Sequence, residues 1–145
     1  MQDFPHHYLV TASAEFEGNV ALKADDVPQL VTALPEEFGG PGNQWSPETL
    51  LTAAVLTGFI FTFRAISHST GLEWSNLCCS VEGILERVER VNRFTSFTIK
   101  ATLTAPADAD VSRLENMLEK AKAACLVAQS LLAEIHLETD IITES

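Results

Sequence analysis

Ser46-Pro47-Glu48-Thr49-Leu50-Leu51-Thr52-Ala53-Ala54-Val55-Leu56-Thr57-Gly58-Phe59 is the stretch on which the fold turns. Serine can cap a helix, proline suits its first turn, and glutamate complements the positive end of the helix dipole. The spacing predicts a helix from Pro47 to Ser69. Leu50, Leu51, Val55, Leu56, Phe59, Ile60, Phe61 and Phe63 spread apolar surface around most of its circumference, so a central, largely covered helix is expected. His68, Ser69, Thr70 and Gly71 supply a polar and then glycine-terminated end. Gly58 costs about 1 kcal/mol relative to alanine inside a helix, so its presence calls for a packing reason. Glu48 serves either the helix dipole or chemistry. Arg64 stands sixteen residues further on, about 24 Å along the axis, so the two cannot pair within one chain, although a partner subunit could bring them together.

Working outward, Tyr8 to Ala14 and Asn19 to Ala24 have strand character around a Glu17-Gly18 turn, and Leu30 to Leu34 suggests a third short strand. Phe38-Gly39-Gly40-Pro41-Gly42-Asn43 is a loop leading into the helix. Beyond it, Trp74 to Val91 and Phe94 to Thr104 alternate as two strands of an antiparallel hairpin, with a turn expected at Asn92-Arg93. Pro106 to Asp110 resets the period. Val111, Leu114, Met117, Leu118, Ala121 and Ala124 then recur at helical spacing, giving a second helix that ends near Cys125. Leu126 to Ala133 continues as a short offset helix, and Glu134 to Thr143 closes the chain as a strand. The order defines an α+β protein, and no linker or repeat divides residues 1–145 into more than one domain.

The chain has 145 residues, of which 46% are hydrophobic, enough for a true core. Its 20 acidic residues against 9 basic ones give a net charge of −11, a field that repels nucleic acid and anionic lipid. Met1 to His7 carries Asp3 and Pro5 and is no secretion signal. The apolar run Leu50 to Phe63 falls short of the ~20 residues that cross a bilayer, so no membrane association is expected. Three cysteines, two of them adjacent, make a poor disulfide framework and fit a reducing, cytoplasmic setting. His6, His7, His68 and His136 form no metal-ligand spacing, and Gly39, Gly40 and Gly42 lack the context of a phosphate loop, so neither metal nor cofactor is expected.

Cys125 draws attention because it lies where the second helix ends or bends. Its apolar neighbours fit a small buried hydrophobe, and a buried thiol without a cationic neighbour reacts poorly. Lys120 and Lys122 are near in sequence, but a helix does not point both at the sulfur. Cys78 and Cys79 project to opposite faces of a strand and cannot jointly hold a metal.

The Ser46 to Phe59 stretch resembles the central-helix signature of the OsmC/Ohr hydroperoxide-reductase family, (N/S)PE-x-L-L-x-A followed by a cysteine. Ala121-Lys122-Ala123-Ala124-Cys125-Leu126-Val127 resembles that family's second-cysteine segment. The resemblance extends over nearly the whole chain and implies antiparallel β-sheets packed around two main helices in an intertwined homodimer. It also implies a peroxide cycle: a first-helix cysteine attacks an organic hydroperoxide, the second cysteine condenses with the sulfenic acid, and an external dithiol restores the pair. Glu48 and Cys125 match family positions. Gly58 falls on the first cysteine, Glu15-Phe16-Glu17 stands where the Ohr branch supplies an activating arginine, and Leu126 replaces a proline that often follows the second cysteine.

Three expectations follow. The chain is a diverged member without the two-cysteine cycle, keeping the dimer and a pocket at Gly58, Cys125 and Glu48 for a small hydrophobic ligand. Alternatively, Cys125 acts alone on a hydroperoxide, resolved by an external thiol or by Cys78 or Cys79. A third reading is a non-catalytic protein-interaction module.

Overall fold

A computed structural model describes residues 2–144, which form two compact units, one from the N-terminus to Leu50 and one from Leu51 onward. The first unit carries an antiparallel meander of β1 (Thr11–Ser13), β2 (Val20–Lys23) and β3 (Leu30–Thr32). After β3, Ala33 N donates to Trp45 O at 2.8 Å, which brings the chain back from the glycine loop to the start of α1 (Pro47–Thr70).

The expected cap is in place, in a reciprocal form. Ser46 Oγ accepts from Thr49 N at 3.1 Å, and Thr49 Oγ1 accepts from Ser46 N at 2.9 Å. Two backbone donors that the helix cannot satisfy are thereby served. Ser46 is only 2% exposed, so water cannot substitute for its hydroxyl. Ser46→Ala is expected to lower stability by about 1 kcal/mol, up to about 2, read as an earlier midpoint in urea unfolding at unchanged slope. At the other end Gly71, at φ 71°, adopts the left-handed conformation that terminates α1.

The second unit holds the rest of α1 and a mixed sheet of β4 (Asn76–Val88), β5 (Val91–Ala105) and β6 (Glu134–Thr143), in the order β4-β5-β6. The hairpin turns at Glu89-Arg90 rather than Asn92-Arg93. Both residues adopt positive φ, 50° and 70°, the paired left-handed geometry that matches strand twist in a two-residue turn. Val88 then faces Val91, and Asn92 and Arg93 are ordinary strand residues opposite Arg87 and Glu86.

The expectation of purely antiparallel sheets is corrected by β6, which runs parallel to β5 from Ser96↔Glu134 to Ala105↔Thr143. The cause is the crossover: α2 (Val111–Ala124) and α3 (Leu126–Gln129) carry the chain back so that β6 enters in the direction of β5. Asp110 caps α2, its Oδ1 accepting from Arg113 N at 3.2 Å.

The core follows from three periodicities meeting. Phe97, Ile99, Ala101, Leu103 and Ala105 alternate along β5, and Leu114, Met117, Leu118 and Ala121 line one face of α2. Val55, Phe59 and Phe63 recur every four residues on α1. This last stripe is the side of α1 that one chain buries by itself. Phe61 is 61% exposed, because one layer of sheet and helix can cover only one side of α1. By length and composition α1 would also span a bilayer, contrary to the count made on the run Leu50 to Phe63. In this fold its buried stripe joins the core of the second unit.

The contact between Gly58 and Cys125

Cys125 occupies the break between α2 and α3, as its sequence position suggested. Its φ of −64° and ψ of 113° leave the helical region for one residue. The break is held on both sides: Gln129 N donates to Cys125 O at 3.0 Å, and the Gln129 side-chain amide donates to Ala123 O. Cys125 is 1% exposed. The junction directs its sulfur toward α1.

At that point α1 presents Gly58. A Cβ placed on Gly58 would lie 3.0 Å from Cys125 Sγ and 3.3 Å from Val127 Cγ2. The mid-helix glycine has a packing reason: a Cβ would press on the sulfur and on Val127, each of which would have to give by a few tenths of an ångström. The 3.0 Å figure has a second meaning. In a disulfide, the Cβ of one cysteine and the Sγ of the other stand about 3 Å apart, given an S–S bond of about 2.04 Å. Residue 58 and the Cys125 sulfur are thus neighbours in space.

The threonines that interrupt the apolar helix dispose of their hydroxyls locally. Thr62 Oγ1 donates to Gly58 O at 2.7 Å and Thr57 Oγ1 to Ala53 O at 3.0 Å. Such back-bonding lets a hydroxyl sit on an apolar helix without a distant partner. Glu48 lies in the first turn of α1, half-buried and ten residues before Gly58, about 15 Å along the axis. Glu15-Phe16-Glu17, where the resemblance would place an arginine, falls between β1 and β2, with Phe16 fully exposed.

Cys78 and Cys79 project to opposite faces of β4, as strand geometry requires. Cys78 is exposed, with Asn76 Nδ2 donating to its sulfur at 3.2 Å, and Cys79 is half-buried against the core. Burial, and secondarily the neighbouring Cys78, push the Cys79 thiol from 9.0 up to about 11. A thiol raised in this way favours the folded state below pH 9.0 and loses that contribution as pH climbs toward about 11. All three cysteines are free, and no group of three or more potential metal ligands occurs among the described residues. Lys122 engages Glu119, at 3.8 Å.

Comparison with known proteins places the chain in a family. Residues 40–140 match the OsmC-like protein family, and the chain belongs to it. It is 25% identical over 140 residues to the uncharacterized protein YmaD of Bacillus subtilis, covering 93% of each. To the peroxiredoxin OsmC of Escherichia coli it is 28% identical over 122 residues, covering 84% of each. Its fold is similar to that of the OsmC-like protein VCA0330 from Vibrio cholerae, with a TM-score of 0.84 at 13% identity, covering 94% of this chain and all of that one. The protein is thus an OsmC/Ohr-like α+β protein related to the hydroperoxide-resistance peroxiredoxins.

One set of residues escaped the sequence reading. Arg64, His68 and Trp74 line a common groove at the end of α1, a grouping that their separate sequence readings as a charge, a helix end and a strand start do not give. The i, i+4 spacing of Arg64 and His68 was the available signal.

Proposed function

We propose that this chain is a diverged OsmC-like protein that works without the two-cysteine peroxidase cycle. The observation that carries the reading is the contact of Gly58 with Cys125: where a cysteine's Cβ would stand 3.0 Å from Cys125 Sγ, there is only a hydrogen. A hydroperoxide needs a thiolate to attack, and the sulfenic acid needs a second thiol to displace water and form the disulfide. With one sulfur at this place, the second half of that exchange has no partner thiol.

Burial argues against Cys125 acting alone, because a 1%-exposed thiol offers an incoming hydroperoxide no open approach. What the scaffold retains is assembly. We propose a homodimer in which the uncovered side of α1, with Phe61 at 61% exposure, faces a second copy, since only 17% of the most apolar stretch of this helix is buried within one chain. A small hydrophobic ligand would then be held between copies beside that face.

The test is steady-state consumption of cumene hydroperoxide by the purified chain with a dithiol reductant. The expected result is a rate equal to that of buffer with dithiol alone. A protein-dependent rate that saturates with peroxide and disappears in Cys125→Ser would overturn the reading.

A further inference from the structure

We infer that a groove on the outer face of the β4-β5-β6 sheet is a binding site for a zwitterionic α-amino acid with an apolar side chain. This face belongs neither to the core nor to the proposed contact between copies along α1. Phe97, Ile99, Ala101, Leu103 and Ala105 turn one side of β5 into the core, so Ser96 and Thr98 point away from it. Glu134 and His136 lie beside them in register on β6 and share that direction. The groove has a volume of about 420 Å³, within the ~300–1,000 Å³ usual for small-molecule sites, and Glu86, Arg93, Ser96, Leu132, Glu134 and His136 help to line it.

Side chains of both signs converge here without cancelling one another. Glu86 and Arg93 are direct cross-strand partners, yet among the described residues Arg93 makes no ion pair. An irregularity in the sheet accounts for this. Ile84 pairs with Ser96 and Leu85 with Phe94, which leaves Thr95 as an extra residue in β5, and such a bulge re-aims side chains. Thr95 Oγ1 donates to Glu86 Oε1 at 2.5 Å, so a hydroxyl and not the guanidinium holds that carboxylate. Glu134 leans on His136 Nε2 at 3.5 Å. The forked donors of Arg93 are thus committed to no carboxylate, while acceptor oxygens remain on Glu86 and Glu134.

This mixture of charges sets the ligand's character. A simple anion drawn to Arg93 would be repelled by the two carboxylates, and a simple cation drawn to them would be repelled by Arg93. A ligand carrying both charges meets neither penalty: its carboxylate accepts from Arg93 and its ammonium donates to Glu86 or Glu134. An α-amino acid bears the two charges on one carbon, which suits a guanidinium and a carboxylate that face each other across neighbouring strands. Leu132, 92% exposed at the rim, offers apolar surface for the side chain.

The probe is L-leucine, titrated into the full chain and followed by amide and Arg93 side-chain N–H chemical shifts. Saturable shifts confined to residues 84–96 and 132–138 are expected. Each charge is then removed in turn: N-acetyl-L-leucine lacks the ammonium and L-leucinamide the carboxylate. Each should bind at least about fivefold more weakly, and Arg93→Gln should weaken leucine by a similar factor. Equal binding of leucinamide would reduce the groove to an acidic surface, and equal binding of N-acetyl-leucine would reduce it to a lone arginine. Either result overturns the proposal, as does the lack of any saturable shift up to on the order of 50 mM. The comparison of the three probes needs no variant and stands even if Arg93→Gln folds poorly. It leaves peroxide chemistry aside, so failure here does not bear on the reading of Gly58 and Cys125.

Discussion

Gly58→Cys is expected to form a disulfide with Cys125 under a mild oxidant such as diamide, which takes up the two electrons and two protons the thiols release. The approach of a position-58 Cβ to within 3.0 Å of Cys125 Sγ matches the separation within a formed disulfide, so little backbone movement is required. The bond would close a loop of 67 residues' separation in sequence, for which chain entropy gives about 4 kcal/mol, with engineered bonds commonly returning less. The melting temperature of the oxidised variant should rise relative to its reduced form by on the order of 10 °C. Thiol titration in denaturant should find the new cysteine and Cys125 missing and Cys78 and Cys79 still free. Peroxidase activity need not accompany the bond, because Glu15-Phe16-Glu17 offers no activating cation. A variant that keeps all its thiols under oxidant would show that α1 and the α2–α3 junction do not meet as described.

Phe97→Ala should be the most damaging of the conservative core truncations. Phe97 is fully buried at the middle of β5, stacked on Phe94 with centroids 4.9 Å apart. Its ring also occupies space that exists only because residue 83 is glycine: a Cβ there would come within 2.8 Å of Phe97 Cε1. Removing the ring leaves a cavity next to a residue with no side chain to fill it, so relaxation is poor and the loss should be about 3–5 kcal/mol. Against a usual total of about 5–15 kcal/mol this threatens folding itself, and urea denaturation should show it as a large drop in midpoint. A loss under about 1 kcal/mol would mean that the sheet does not pack as described.

What the sequence disclosed divides along physical lines. The start and end of α1 were legible because Ser46, Pro47 and Gly71 act through local backbone chemistry, and that chemistry is what the structure shows. The same holds for the break at Cys125. The hairpin turn was misplaced because Glu89 and Arg90 adopt a left-handed conformation that neither residue type advertises. The parallel pairing of β6 is set by the crossover through α2, which no local pattern encodes. Composition made α1 apolar all round, yet which side a helix buries depends on what packs against it, and within one chain only the stripe through Val55, Phe59 and Phe63 is taken up. Of the site, residues 58 and 125 were paired by their match to a motif, while the reason for the glycine emerged only with the 3.0 Å approach of Cys125 Sγ. The groove at Arg64 and Trp74 was hidden because it combines the end of a helix with the segment that follows its turn.

The central claim is that a lone sulfur facing Gly58 cannot run a two-thiol cycle. A single-turnover measurement tests it most directly: the fully reduced native chain is mixed with one equivalent of cumene hydroperoxide, quenched with an alkylating reagent in denaturant, and weighed intact. The account predicts three alkylated cysteines and unconsumed peroxide. Stoichiometric loss of two thiols to an intramolecular disulfide, with the peroxide reduced to its alcohol, would contradict it.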